Sequence, residues 1–181
     1  RDDVSVLRDL PHWAQRLQAA GYRTGYFGKW HVERSDELDR FGWQVNGAAG
    51  TAAWKAAAAE VSDPPDRPDL PRRTIEIPDG HKPGLFYAVT AAPIEHRRMG
   101  IACRLADGFL DDALAGDQPW CCFVSTPEPH DPYVAGEEAM KQYDPDATPL
   151  PESLHDPLDD RPNVYRKARR AYADVTDSEH R

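Results

Sequence analysis

Lys29 and His31 are residues whose types and spacing could do chemistry. They close the stretch Gly21-Tyr22-Arg23-Thr24-Gly25-Tyr26-Phe27-Gly28-Lys29-Trp30-His31. In strand geometry, residues two apart project from one face. An ammonium and an imidazole would then stand side by side just past a glycine, where they could hold an anion. The same spacing also fits a Gly-rich turn into a strand with two ordinary surface polar residues. His130 is a further candidate, in Pro129-His130-Asp131-Pro132 directly after an apolar run. Ligands of open α/β sheets bind at the carboxyl ends of strands, and the flanking prolines would fix the loop and aim the imidazole. By itself, a loop histidine bracketed by prolines needs no function.

Other chemistry-bearing residues offer less. The three cysteines, Cys103, Cys121 and Cys122, are an odd number without metal-ligand spacing. Cys121 and Cys122 are flanked by apolar residues and read as reduced, buried strand residues. Reduced thiols lean towards a cytoplasmic setting, although no localisation follows from them. His155-Asp156 and Asp159-Asp160 read as loop polar residues rather than metal ligands. Arg72 and Arg73 read as solvated charges, and His81 as a loop residue.

Several elements must position these groups. Leu10, Trp13, Leu17 and Ala20 recur at helical spacing, and Gly21 ends that helix. Residues 22–30 read as the strand that follows, which gives an αβ step. Phe41-Gly42-Trp43 reads as an aromatic plug in a loop. Residues 51–60 are Ala-rich and helix-competent. The stretch at about 45–85, rich in Pro, Asp and Arg beyond residue 61, reads as a loop-rich surface insertion. Thr74-Ile75-Glu76-Ile77 reads as a short edge strand, and residues 85–89 as another extended piece. Ile94, Ile101, Leu105, Phe109, Leu110 and Leu114 form an apolar stripe on a helix of about six turns. Pro119-Trp120-Cys121-Cys122-Phe123-Val124-Ser125-Thr126 reads as a strand buried on both faces of a parallel sheet. Residues 165–175 are helix-competent.

Composition narrows the function classes. The 181 residues are enough for one domain with a core. A formal charge of -9 and a pI of about 5.2 argue against nucleic-acid or anionic-membrane binding. An anionic substrate would need a locally positive pocket. No apolar run approaches the roughly 20 residues that span a bilayer. The chain starts at Arg1 rather than Met and stops in a helical pattern, and it reads as an internal fragment.

The stretch 21–31 resembles the second signature of the sulfatase family, G-Y-x-T-x-x-x-G-K-W-H, residue for residue. Pro129-His130-Asp131-Pro132 resembles the family's P-H-x-P segment after a strand, and residues 143–151 resemble its Y-D-P-x-D-x-P-L-P passage. The resemblance covers about residues 10–45 and 85–181. It implies a partial sulfatase catalytic domain over residues 1–181, with an alkaline-phosphatase-like α/β fold whose mostly parallel central sheet is flanked by helices. It implies that Lys29 contacts the sulfate, that His31 contacts a formylglycine nucleophile and that His130 binds the sulfate. His31 and His130 are thus expected as catalytic residues, and Lys29, His31 and His130 as substrate-binding residues. The family nucleophile lies in C/S-x-P-S/A-x-R, and none of the three cysteines begins that pattern. The resemblance therefore implies a formylglycine upstream and a divalent metal, calcium, with ligands outside this fragment. The expected substrate is a small sulfate ester. A phosphonate monoester or phosphodiester is the alternative, and an inactive anion-binding member is a third reading.

Overall fold

The computed structural model describes residues 10–32, 35, 37–61, 67–76 and 83–181. The readings for the leading residues 1–9, for the Pro-Asp run at 63–66 and for His81 lie outside the described residues. Contacts divide the chain into two units. One is Arg1–Pro64 with Ala92–Glu128, and the other is Pro65–Ala91 with Pro129–Arg181.

The first unit is a parallel three-stranded sheet with helices on its faces. Helix α1 (Trp13–Ala19) begins at His12, whose backbone N–H donates to Gln15 Oε1 at 2.9 Å. It ends in a Schellman turn: Tyr22 N–H reaches Leu17 O and Gly21 N–H reaches Gln18 O, with Gly21 at φ +88°. The expected helix and its glycine stop are both present. Strand β1 (Arg23–Gly28) follows, and then β2 (Val45–Ala48), α2 (Ala52–Ala59), α3 (Arg98–Leu114) and β5 (Trp120–Ser125). The sheet order is β2-β1-β5, with both pairings parallel.

Alternation along β1 divides the core in two. Tyr26 packs with Ala14, Leu38, Phe41, Trp43 and Ala48. Phe27 packs on the opposite side with Ala106, Phe109 and Ala113 of α3. Thr24 is fully buried but satisfied: its hydroxyl donates to Gly42 O at 2.6 Å, and its N–H donates to Gln44 Oε1 at 3.0 Å. The plug residues Phe41 and Trp43 are core residues.

The second unit holds β3 (Arg72–Ile75), β4 (Gly84–Thr90), β6 (Tyr133–Gly136), α4 (Glu137–Met140) and α5 (Asn163–Arg170). Strand β4 pairs antiparallel with β3 and parallel with β6. Phe86 is its buried centre, with edge-on contacts to Tyr133 and Tyr172. Arg73 forms an ion pair with Glu179 at 3.3 Å, which gives it a structural partner.

Four readings need correction. Within the stretch 45–85 the expected helix and edge strand are present as α2 and β3, but it also carries β2, which the sequence reading lacked. The apolar run of β5 is not buried on both faces: Trp120 and Phe123 are each 40% exposed and Val124 is 41% exposed. Among the described residues β5 pairs with β1 alone, so it is an edge strand here. The helical stripe also differs. Helix α3 starts at Arg98 after a 3-10 turn at Ile94–His96, Ile94 and Leu114 are exposed, and alanines carry much of the buried face. Finally, β1 stops at Gly28, so strand alternation does not set the faces of Lys29 and His31.

Candidate functional site

Gly28 is the joint from which Lys29 and His31 leave the sheet. Its φ of +100° lies in the left-handed region, which turns the chain out of the strand. A Cβ there would meet Ser125 O at 1.9 Å, so only glycine fits without displacing backbone. The close approach allows Lys29 N–H to donate to that same Ser125 O at 2.8 Å. The Tyr26 hydroxyl donates to Lys29 O at 2.5 Å. Lys29 is thus fixed by both of its backbone polar groups. Burial pushes the Tyr26 phenol above its ordinary value, so it stays a protonated donor at neutral pH.

Trp30 anchors the next position. Its ring lies 5.2 Å from both Tyr26 and Phe41, and its buried Nε1 has no hydrogen-bond partner among the described residues. Lys29 beside it is half-buried, and His31 is exposed. Because β1 and β5 run parallel, with Gly28 opposite Ser125, both strands end at one edge of the sheet. That carboxyl edge is where ligands of open α/β sheets bind.

His130 follows Ser125 by five positions but falls in the second unit, whereas Lys29 and His31 fall in the first. Its imidazole is exposed. Nδ1 lies 2.8 Å from Asp131 O and 2.8 Å from Asp131 Oδ1. Both neighbours are acceptors, so Nδ1 carries the proton and Nε2 is left to face a ligand.

Cys121 and Cys122 are poor nucleophiles. Burial pushes the Cys121 and Cys122 thiols up, and Cys121 and Asp107 add to the shift at Cys122. Cys121 packs on the Tyr26 side of the sheet and Cys122 on the Phe27 side. Cys103 is exposed, and all three are free. No group of three His, Cys, Asp or Glu side chains among the described residues is placed to hold a metal ion. The calcium that the sulfatase resemblance implies therefore does not fit the described residues.

The sequence motif names Lys29 but not the groups that hold its backbone. Tyr26 and Ser125 form its seat, and the signal for that seat was Gly28, a glycine at a strand end directly before the cation. The arrangement offers a lysine whose backbone is held at the carboxyl edge of a parallel α/β sheet, and this joins the motif to its structural context. The Sulfatase family model matches residues 6–175, so the chain belongs to the sulfatase family, a family of hydrolases. Its mixed α/β architecture, with a parallel three-stranded sheet and flanking helices, agrees with the alkaline-phosphatase-like fold of that family. Comparison with curated proteins gives no match.

Proposed function

We propose that the protein carrying this domain hydrolyses sulfate esters, and that Lys29, His31 and His130 hold the sulfate group. The observation that carries this reading is the seat of Lys29. Its N–H and C=O hold the lysine backbone at the sheet edge, which fixes where the side chain departs, although the ammonium itself still orders when an anion arrives. A charge so placed acts best where oxygens gain charge during the reaction.

Each residue has a distinct part. The Lys29 ammonium supplies a positive charge against a sulfate oxygen. His31 is exposed to the solvent from which a substrate group would arrive. His130, with Nδ1–H committed to Asp131, presents Nε2. Protonated, Nε2 donates to a sulfate or leaving-group oxygen, and neutral, it accepts a proton. The nucleophile, expected as formylglycine, and the metal ligands come from residues other than those described. The metal would draw charge from the sulfate oxygens. The 181-residue chain alone is therefore expected to be inactive.

Turnover of an aryl sulfate and of a phenylphosphonate by the complete protein tests the reading. The aryl sulfate is expected to be the better substrate, and Lys29→Ala is expected to lower its kcat/KM by about 10²–10³. A preference for the phenylphosphonate would move the assignment to phosphonate ester hydrolysis. Undiminished turnover in Lys29→Ala would remove the proposed role of the seat.

A further inference from the structure

The second unit contains a cleft of about 540 Å³ between α5 and the turns that follow it. That volume lies within the range of small-molecule sites. Arg166, Arg169 and Arg170 line it, with Asp177 as the one carboxylate on its wall. Three guanidiniums against one carboxylate leave an excess of two positive charges, even with both lining histidines neutral. The chain as a whole carries -9, so this is a local reversal of sign.

The arginines have different tasks. Arg169 donates to the backbone carbonyls of Leu154 and Asp156 and so builds the wall. Asp177 is engaged by His155, whose Nε2 lies 3.1 Å from its Oδ1. Arg166 donates to Asn163 Oδ1 at 2.6 Å. Neither Arg166 nor Arg170 forms an ion pair among the described residues. They sit one turn apart on α5, an arrangement in which like charges destabilise an isolated helix. A bound anion would reverse that repulsion. Tyr172 and Val175 add an apolar surface to the same cleft.

We propose that this cleft binds an organic dianion, an aromatic or aliphatic body bearing a phosphate-type group, with Arg166 and Arg170 as its cationic clamp. Arginine suits this task because its planar fork donates two parallel hydrogen bonds to one oxyanion. Tyr172 and Val175 cover the organic body. The site is independent of Lys29, and it stands or falls apart from the sulfatase reading.

Isothermal titration of the 181-residue chain with phenyl phosphate, with phenol as the uncharged control, tests the proposal. Because phenyl phosphate also resembles the ester proposed for Lys29, the titration is run in the Lys29→Ala chain, where phenyl phosphate is expected to bind one to one, phenol is not, and affinity is expected to fall as salt rises. Arg166→Gln with Arg170→Gln should weaken binding by at least about tenfold, the scale of one lost charge-assisted hydrogen bond. In the unaltered chain, the guanidinium Nε–H resonances of Arg166 and Arg170 should shift on adding phenyl phosphate, a readout that does not depend on how the variants fold. Absence of binding, absence of those shifts, or equal affinity in the double variant would each overturn the assignment.

Discussion

Replacing Gly28 by alanine attacks the joint that seats Lys29, and its cost can be worked from two terms. The first is conformational. Gly28 has φ +100°, and a left-handed backbone costs an L-residue about 1–2 kcal/mol. The second is contact. The new methyl would start 1.9 Å from Ser125 O and 3.0 Å from its carbonyl carbon, so that carbonyl must move. The same oxygen accepts Lys29 N–H at 2.8 Å, and losing that bond costs about 0.5–1.5 kcal/mol. Together the terms predict a loss of about 1.5–3.5 kcal/mol. Gly21→Ala is the internal control: its φ is +88°, but nothing lies within 4 Å of a Cβ there, so only the conformational term applies. Urea unfolding of both variants, followed by far-ultraviolet circular dichroism, separates the terms. The difference between them should be at least about 0.5 kcal/mol, the hydrogen-bond contribution. Equal destabilisation would refute the claim that close approach to Ser125, rather than backbone conformation, makes glycine necessary at position 28.

Two other outcomes follow from the same region. Trp30→Phe keeps an aromatic ring against Tyr26 and Phe41 and removes a buried donor that has no partner among the described residues. Its stability should stay within about 1 kcal/mol of the parent, whereas Trp30→Ala should cost about 3–5 kcal/mol; a Phe variant that loses as much as the Ala variant in urea unfolding would mean the indole has a partner. Iodoacetamide should label Cys103 first, because Cys103 is exposed while burial raises the Cys121 and Cys122 thiols. A raised thiol leaves less thiolate at neutral pH, so labelling of Cys121 and Cys122 should keep climbing as pH passes above the ordinary thiol range. Peptide mass spectrometry reads the order, and equal labelling of Cys121 and Cys103 at neutral pH would contradict it.

What was legible in the sequence was what local pattern determines. Helical spacing from Leu10 to Ala20 with glycine after it marked α1, and the apolar run after Pro119 marked β5. Strand β2 was not legible, because Val45-Asn46-Gly47-Ala48 has little strand propensity. Its place comes from packing: a Cβ at Gly47 would lie 2.4 Å from Phe27 Cδ1, so the glycine makes room for a ring on the neighbouring strand. The start of α3 was misplaced for a similar reason. A Cβ at Gly100 would meet Ile94 O at 2.2 Å, which shows how tightly the preceding 3-10 turn folds back. The apolar character of β5 described side chains fit for burial, and pattern alone could not say which neighbours would cover them. At the candidate site the motif named Lys29 and His31, but the carbonyl and the hydroxyl that seat Lys29 come from a distant strand and from three residues upstream. The contact with Ser125 is non-local and leaves no trace in spacing.

The aromatic packing around Tyr26 has an optical consequence. All five tryptophans, Trp13, Trp30, Trp43, Trp54 and Trp120, belong to the first unit. Trp13 and Trp43 stand 4.9 Å apart at nearly a right angle, and Tyr26 lies 5.2 Å from Trp43. Rings so close exchange excitation energy, so Tyr26 passes its energy to indole and adds little emission of its own. Five of the seven tyrosines, Tyr87, Tyr133, Tyr143, Tyr165 and Tyr172, lie instead in the second unit, which has no tryptophan. Light absorbed only by indole therefore reports on the unit whose sheet carries Lys29. The unlabelled chain thus carries its own probe of that unit, and indole emission during melting follows the half of the molecule that seats Lys29.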